Sequence, residues 1–228
     1  MALELPGSPS IYSTGYIGTG SASWSHAHTG GADMVVVAIA LTDNHTNPTI
    51  ALTYDGVTIP IAEALNIQAY PGYKVVAGAL ADPGSKTANL VIDPSGSNVK
   101  SAVAYVLRAT GLHANVTGAA AKSADDAWSA SFAIAPTFEA EGSKGLVLFA
   151  GDGSKISNIS MSGGVTKQDY RETPTGDMGV AFGIDSTPSG AESYTGTATG
   201  SADYVGAFAI ELLAAAVQRR RRVARVFS

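Results

Sequence analysis

Few side chains in this sequence have the types and spacing of a reaction centre. His26 and His28 stand two apart, so on a strand they share one face. Two imidazoles on one face are half of a metal site, but a third ligand is required, and none follows at a recognisable spacing. The pair is expected as ordinary polar positions on a solvent-facing strand, with no metal bound. His45 lies in a polar connection, Asp43 to Asn47, and His113 ends an apolar segment; neither adjoins a nucleophile. Asp125 and Asp126 are adjacent and point opposite ways on a strand, whereas Glu139 and Glu141 share a face in what reads as an exposed turn. The carboxylate pair of a glycosidase is brought together by the fold rather than by sequence spacing, so these acids do not announce one. Gly151-Asp152-Gly153-Ser154 lacks the alternating acids and closing Glu of a calcium loop. No phosphate loop, nucleophile elbow or dinucleotide fingerprint is present. The expectation is a protein that is not an enzyme and takes no cofactor.

Two sets of residues suit binding rather than catalysis. Among the aromatics Tyr12, Tyr16, Trp24, Tyr70, Tyr73, Trp128, Tyr170 and Tyr194, the tyrosines at 70 and 73 flank Pro71-Gly72 and form the candidate sugar-stacking pair. The second set is the segment Gln218 to Ser228, which carries Arg219, Arg220, Arg221, Arg222, Arg225 and Phe227 and no acid. The whole chain has a net charge of −5, which leaves −10 on the remainder. Clustered arginines attract phosphate, but no basic patch continues into the acidic body, so nucleic acid is set aside. An arm that docks on an acidic protein surface, such as a neighbouring copy, is expected instead. Leu213, Val217, Val223, Ala224 and Phe227 fall roughly on one helical face, so the arm reads either as a short amphipathic helix or as an extended segment.

The elements that must position these groups are strands. Hydrophobic residues make up 45% of the 228 and charged residues 14%, with 26 Gly and 10 Pro. That balance favours short strands joined by tight turns. Cysteine is absent, which excludes disulfides and thiolate metal sites. The longest apolar run, Met34 to Leu41, is far below the roughly 20 residues of a membrane-spanning helix. Leu5-Pro6-Gly7-Ser8-Pro9 interrupts any leader-like opening, and a soluble protein is expected.

An internal repeat organises the strands. Trp24 opens Trp-Ser-His-Ala-His, followed by Met34-Val-Val-Val-Ala-Ile-Ala-Leu41; Trp128 opens Trp-Ser-Ala-Ser-Phe, followed by Gly145-Leu-Val-Leu-Phe-Ala150. The order continues in step. Ile50 to Val57 matches Ile159 to Val165, Tyr73 to Gly84 matches Met178 to Ser189, and Ser101 to Arg108 matches Asp203 to Ile210 within about a residue. Turn signals such as Asp55-Gly56, Asp82-Pro83-Gly84 and Ser162-Gly163-Gly164 separate the blocks. The fold class is therefore all-β: an antiparallel sandwich of two pseudo-repeated halves, about 23–112 and 127–213, preceded by an N-terminal segment 1–22 and followed by a basic arm 214–228. Leu112 to Asp126 serves as the link between halves. One sandwich is favoured over two small domains, because a sheet from one half leaves the Val35 to Ile39 face in need of a cover.

The pattern between Ser13 and Leu213 resembles the jelly-roll-like β-sandwich modules of tailed-phage virion proteins and of some bacterial surface proteins. The residues that carry the resemblance are the Ser/His-rich strand before Gly30-Gly31, the valine run, the Thr53-Tyr54-Asp55-Gly56-Val57 hairpin, the Asp82-Pro83-Gly84 strand end and the closing Ala207-Phe208-Ala209-Ile210. It implies a virion location and a structural role, with copies of the chain and other virion proteins as partners. The leading expectation is a head decoration or capsid-stabilising protein. The alternative is a tail-fibre or spike module that binds host-surface carbohydrate.

Overall fold

The computed structural model describes residues 3–42, 49–68, 72–94, 98–125, 131–138, 142–152, 156–172, 178–188, 190–200 and 205–214. The first half contains β1 (Ser10–Thr14), β2 (Gly18–Thr19), β3 (Ala22–His28), β4 (Asp33–Thr42), β5 (Ala51–Tyr54), β6 (Val57–Thr58), β7 (Ile61–Gln68), β8 (Gly72–Leu80), β9 (Lys86–Asp93) and β10 (Asn98–Ala109). The second contains β11 (Leu112–Asp125), β12 (Ser131–Ile134), β13 (Thr137–Phe138), β14 (Lys144–Asp152), β15 (Ile156–Ser162), β16 (Thr166–Glu172), β17 (Met178–Asp185), β18 (Gly190–Ala191), β19 (Tyr194–Gly200) and β20 (Val205–Ala214). Every paired ladder is antiparallel.

The repeat is a repeat of topology. The first half forms a sheet in the order β1-β10-β4-β8-β7 and a second sheet β3-β9-β5-β6; the second half forms β11-β20-β14-β17-β16 and β12-β19-β15. The five strands of each large sheet correspond one to one, and β3-β9-β5 corresponds to β12-β19-β15; β2, β6 and the separate β13–β18 pair have no counterpart among the described residues. Two segments differ from the sequence reading. The N-terminal stretch joins the body, because β1 and β2 both pair with β10. Leu112 to Asp126 is no mere link: its residues through Asp125 form β11, the edge of the second large sheet.

The two large sheets lie back to back in the middle, and each smaller sheet covers the outside of its own half. The chain thus forms four layers around three cores. The residues of β4 alternate between two of them: Met34, Val36, Ala38 and Ala40 face the small sheet of the first half, while Val35, Val37 and Ile39 face the other half. In β14, Val147 and Phe149 face outward to β12-β19-β15, while Leu146, Leu148 and Ala150 face the middle. Burial on both faces explains why these strands read as unbroken apolar runs rather than alternating ones. The cover is supplied within the chain. Tyr105 of β10 stacks on Phe182 of β17, with centroids 5.1 Å apart, and its hydroxyl donates to the carbonyl of Val180.

The outer sheets alternate between buried and exposed positions, an alternation broken in β15 by a register shift between Ile156 and Asn158. In β3, Ala22, Trp24, His26 and His28 point inward and Ser23, Ser25 and Ala27 outward. On the opposite outer face, Ser131, Thr197 and Ser160 lie side by side across β12, β19 and β15. The β5–β6 hairpin turns through Asp55 and Gly56, both at positive φ (53° and 74°), the backbone that a two-residue hairpin with the native strand twist demands.

Candidate functional site

Polar side chains withdrawn from water gather at two places, one in each half. The first is built on β3. Its phase is set by Ala22 and Trp24, which belong in the core, so residues of the same parity follow them inward. His26 and His28 are therefore buried, at 5% and 6% exposure, and not the solvent-facing positions expected from sequence. Their rings lie 6.0 Å apart. Tyr12, from edge strand β1, fills the gap between the sheets, stacked on Trp24 (6.0 Å, 28°) and edge-on to His26 (5.8 Å, 87°).

Protonation in this cluster follows from burial. Burial pushes the Tyr12 phenol above its ordinary 10.0, so it keeps its proton, and its oxygen lies within hydrogen-bond distance of His26 Nδ1 at 2.8 Å. Burial first, and the neighbouring His28 second, push His26 below its ordinary 6.5. His28 Nε2 lies 3.1 Å from the carbonyl of Ala32, which can only accept, so that nitrogen donates. The Tyr54 hydroxyl sits 3.0 Å from the carbonyl of His26 and 2.9 Å from that of Lys86, sharing one proton between β3 and β9. Lys86 lies 5.7 Å over the Tyr54 ring and closes the end of the cluster through Asp55 at 2.7 Å. The arrangement couples β1, β3, β5 and β9 through side-chain and backbone hydrogen bonds, with the Lys86–Asp55 ion pair at its end. Among the described residues, no three His, Asp or Glu side chains come together as a metal-binding set.

The second cluster sits at the pseudo-equivalent end of the other half. Gly145 on β14 is flanked in register by Asp185 of β17 and Glu211 of β20, so both acids share its face. They are 5% and 1% exposed. Tyr194 donates to Asp185 Oδ2 at 2.9 Å and the Thr187 amide to Oδ1 at 3.0 Å. Burial, reinforced by the bond to Asp185, raises the Tyr194 phenol far above its usual value, which fixes it as the donor. A methyl group at Gly145 would lie 3.1 Å from the Tyr194 hydroxyl and 3.3 Å from Phe138; the absent side chain makes the room these rings occupy. Two carboxylates on one face are the right type of group for glycoside hydrolysis, but these are walled in by Tyr194 and Phe138. An enclosed carboxylate that accepts an amide and a phenol braces the strand ends.

The corresponding row in the first half is Leu80, Met34 and Arg108, so the polar version belongs to one repeat alone. Nothing in the isolated sequence marks Asp185, which stands in a turn-like Asp-Ser-Thr-Pro string. The available signal is its alignment with an apolar residue, Leu80.

The remaining sequence candidates fall elsewhere. Arg219, Arg220, Arg221, Arg222, Arg225, Phe227, Tyr70, His45, Asp126, Trp128, Glu139 and Glu141 lie outside the described residues. Tyr73 takes its place in β8 opposite Leu41 of β4, His113 lies in β11 and Asp125 ends it. Tyr170 donates to the carbonyl of Ile156 and ties β16 to β15. Tyr16 is 63% exposed. An apolar cavity of about 20 Å³ lies in the second half between Phe132, Phe149, Ile159 and Val205, far below the several hundred Å³ of a small-molecule site.

No family model matches the chain, and no curated protein does. Among solved structures, one similar chain is the conserved protein of unknown function PA5104 from Pseudomonas aeruginosa PAO1. It is 13% identical, with 89% of this chain and 78% of that chain covered and a TM-score of 0.34.

Proposed function

We propose that this chain is a structural protein of a tailed-phage particle, a head decoration or capsid-stabilising protein present in many copies. The observation that carries the reading is the four-layer body. Two like halves are stacked through three continuous cores, and the buried polar groups are spent on tying strands together. Such a body suits a passive load-carrying tile. The sequence resemblance supplies the setting, and the arginine arm supplies the means of attachment, an acidic surface on a neighbouring copy or another virion protein.

Deletion of residues 218–228 tests it. The truncated protein is expected to melt at the same temperature as the full chain, because the described cores are built from residues up to Ala214. It is also expected to lose self-association in light scattering and to be left out of assembling particles. Normal incorporation of the truncated protein sinks the latch role of the arm.

A second reading, a tail-fibre or spike module that binds host-surface carbohydrate, has one observation in its favour. Next to the exposed Tyr16, the Ile17 amide donates to the carbonyl of Val99, and Val99, Thr42 and Gly72 form one row across β10, β4 and β8. The fold thus brings Tyr16 to the end of the body where Tyr73 begins its strand. Binding on a glycan array that is lost in Tyr16→Ala and Tyr73→Ala would move the assignment to this reading.

A further inference from the structure

We propose that His26 is an acid-sensitive latch: neutral, it holds the edge strand β1 against β3, and protonated, it lets β1 go. The strand is paired along one flank only, and the Glu4–Thr110 bridge before it and β2 after it pair with the same partner side. It is the edge of its sheet, with five residue pairs to β10 from Ser10↔Val106 to Thr14↔Ala102. Ile11 packs against the middle core on one side. On the other side, two side-chain bonds reach β3: Tyr12 to His26, and the Trp24 indole to the carbonyl of Ser13 at 3.4 Å.

A proton on His26 changes this arrangement in two ways. Imidazolium has no lone pair, so at Nδ1 it can only donate, and the Tyr12 hydroxyl must turn its own proton away and accept. It also places a charge at a site of 5% exposure. The groups around that site offer no free counter-charge. On β3 the neighbour is His28; on β1, Tyr12; on β5, Tyr54; on β9, Ala88 lies opposite His26 and Lys86 opposite His28. Arg108 extends from the exposed end of β10. Asp55 is held by Lys86. At the β3–β4 end, Asp33 accepts the Asp82 amide, and Asp82 accepts those of Gly31 and Gly84. Buried charge without a partner is expelled or neutralised, and the weakest wall here is the edge strand.

The direction in pH follows. The folded chain takes up the His26 proton below 6.5, the ordinary value at which the unfolded chain does so. Between those points the unfolded form binds more protons, so the stabilisation is complete above 6.5 and declines as pH falls toward the folded value.

The full chain is tested by hydrogen exchange at pH 8 and pH 5, corrected for intrinsic rates, alongside NMR titration of the His26 ring. The ring is expected to titrate below 6.5, and protection of residues 10–14 to fall severalfold at pH 5. Protection of β14 and β20 should not change. His26→Asn keeps a polar partner for Tyr12 without a titrating ring and should abolish the step. Should that variant not fold, Tyr12→Phe serves: it should lower protection of β1 at both pH values while the His26 midpoint stays below 6.5. Equal protection of β1 at both pH values, a His26 midpoint at or above 6.5, or a step that survives His26→Asn overturns the proposal.

Discussion

Cut between Gly111 and Leu112, the chain is expected to give two fragments that aggregate when expressed singly and regain an ordered body when refolded together. The reason is the middle core. Val35, Val37, Ile39, Val103, Tyr105 and Leu107 of one half lie against Leu146, Leu148, Phe182, Phe208, Ile210 and Leu212 of the other, and each is less than a tenth exposed. Full burial of one such side chain stabilises by about 1.5–3 kcal/mol. Separation would uncover a continuous apolar face of the kind that soluble monomers rarely present. Light scattering on each fragment, followed by circular dichroism of the mixture, is the measurement. A monomeric fragment with its own cooperative melt would show that each half is a domain in its own right.

Alanine at Gly78 or at Gly183 is expected to cost about 3 kcal/mol, the upper end of what overpacking usually costs. These glycines are pseudo-equivalent positions on β8 and β17, and both are places of close approach. A methyl group at Gly78 would lie 2.5 Å from the carbonyl oxygen of Pro60. At Gly183 it would meet Val165 Cγ1, and would lie 2.9 Å from both Met161 Sδ and the Thr166 carbonyl oxygen. A backbone oxygen cannot step aside as a side-chain tip can, so the strand itself must shift. For a chain of this size each kcal/mol moves the melting temperature by about 2–4 °C. A fall of roughly 6–12 °C in a thermal melt is therefore anticipated for either variant. A change of less than about 2 °C would mean that the sheets part more easily than their packing implies.

The same two glycines show what was legible beforehand. Alignment of Tyr73 to Gly84 with Met178 to Ser189 places Gly78 on Gly183, and alignment of the apolar runs places Met34 on Gly145; both pairings hold in the strand register. The all-β antiparallel class and the repeated halves were equally open to view, because strand period and turn residues are local properties. The number of layers was not. A run apolar on both faces demands two covers, but the demand is met alike by another part of the chain or by another molecule. His26 and His28 show a different failure. Their polarity suggests solvent, yet on a strand the side is decided by parity, and Trp24 and Ala22 had already fixed it. In Leu112 to Asp126, small residues with weak β-propensity hide a strand that exists because β20 offers it an edge.

The position of the last described strand sets how the body responds to load. β20 runs between β11 and β14, hydrogen-bonded along both flanks. Tension applied through whatever follows Ala214 and drawn along the strand must shear two ladders at once. β1 has one ladder of five pairs at a sheet edge, so tension at the other end can peel it away rung by rung. A tether at the carboxyl end would therefore hold under a force that strips the amino end, which makes the molecule mechanically polar: an anchor on one side and a tear strip on the other.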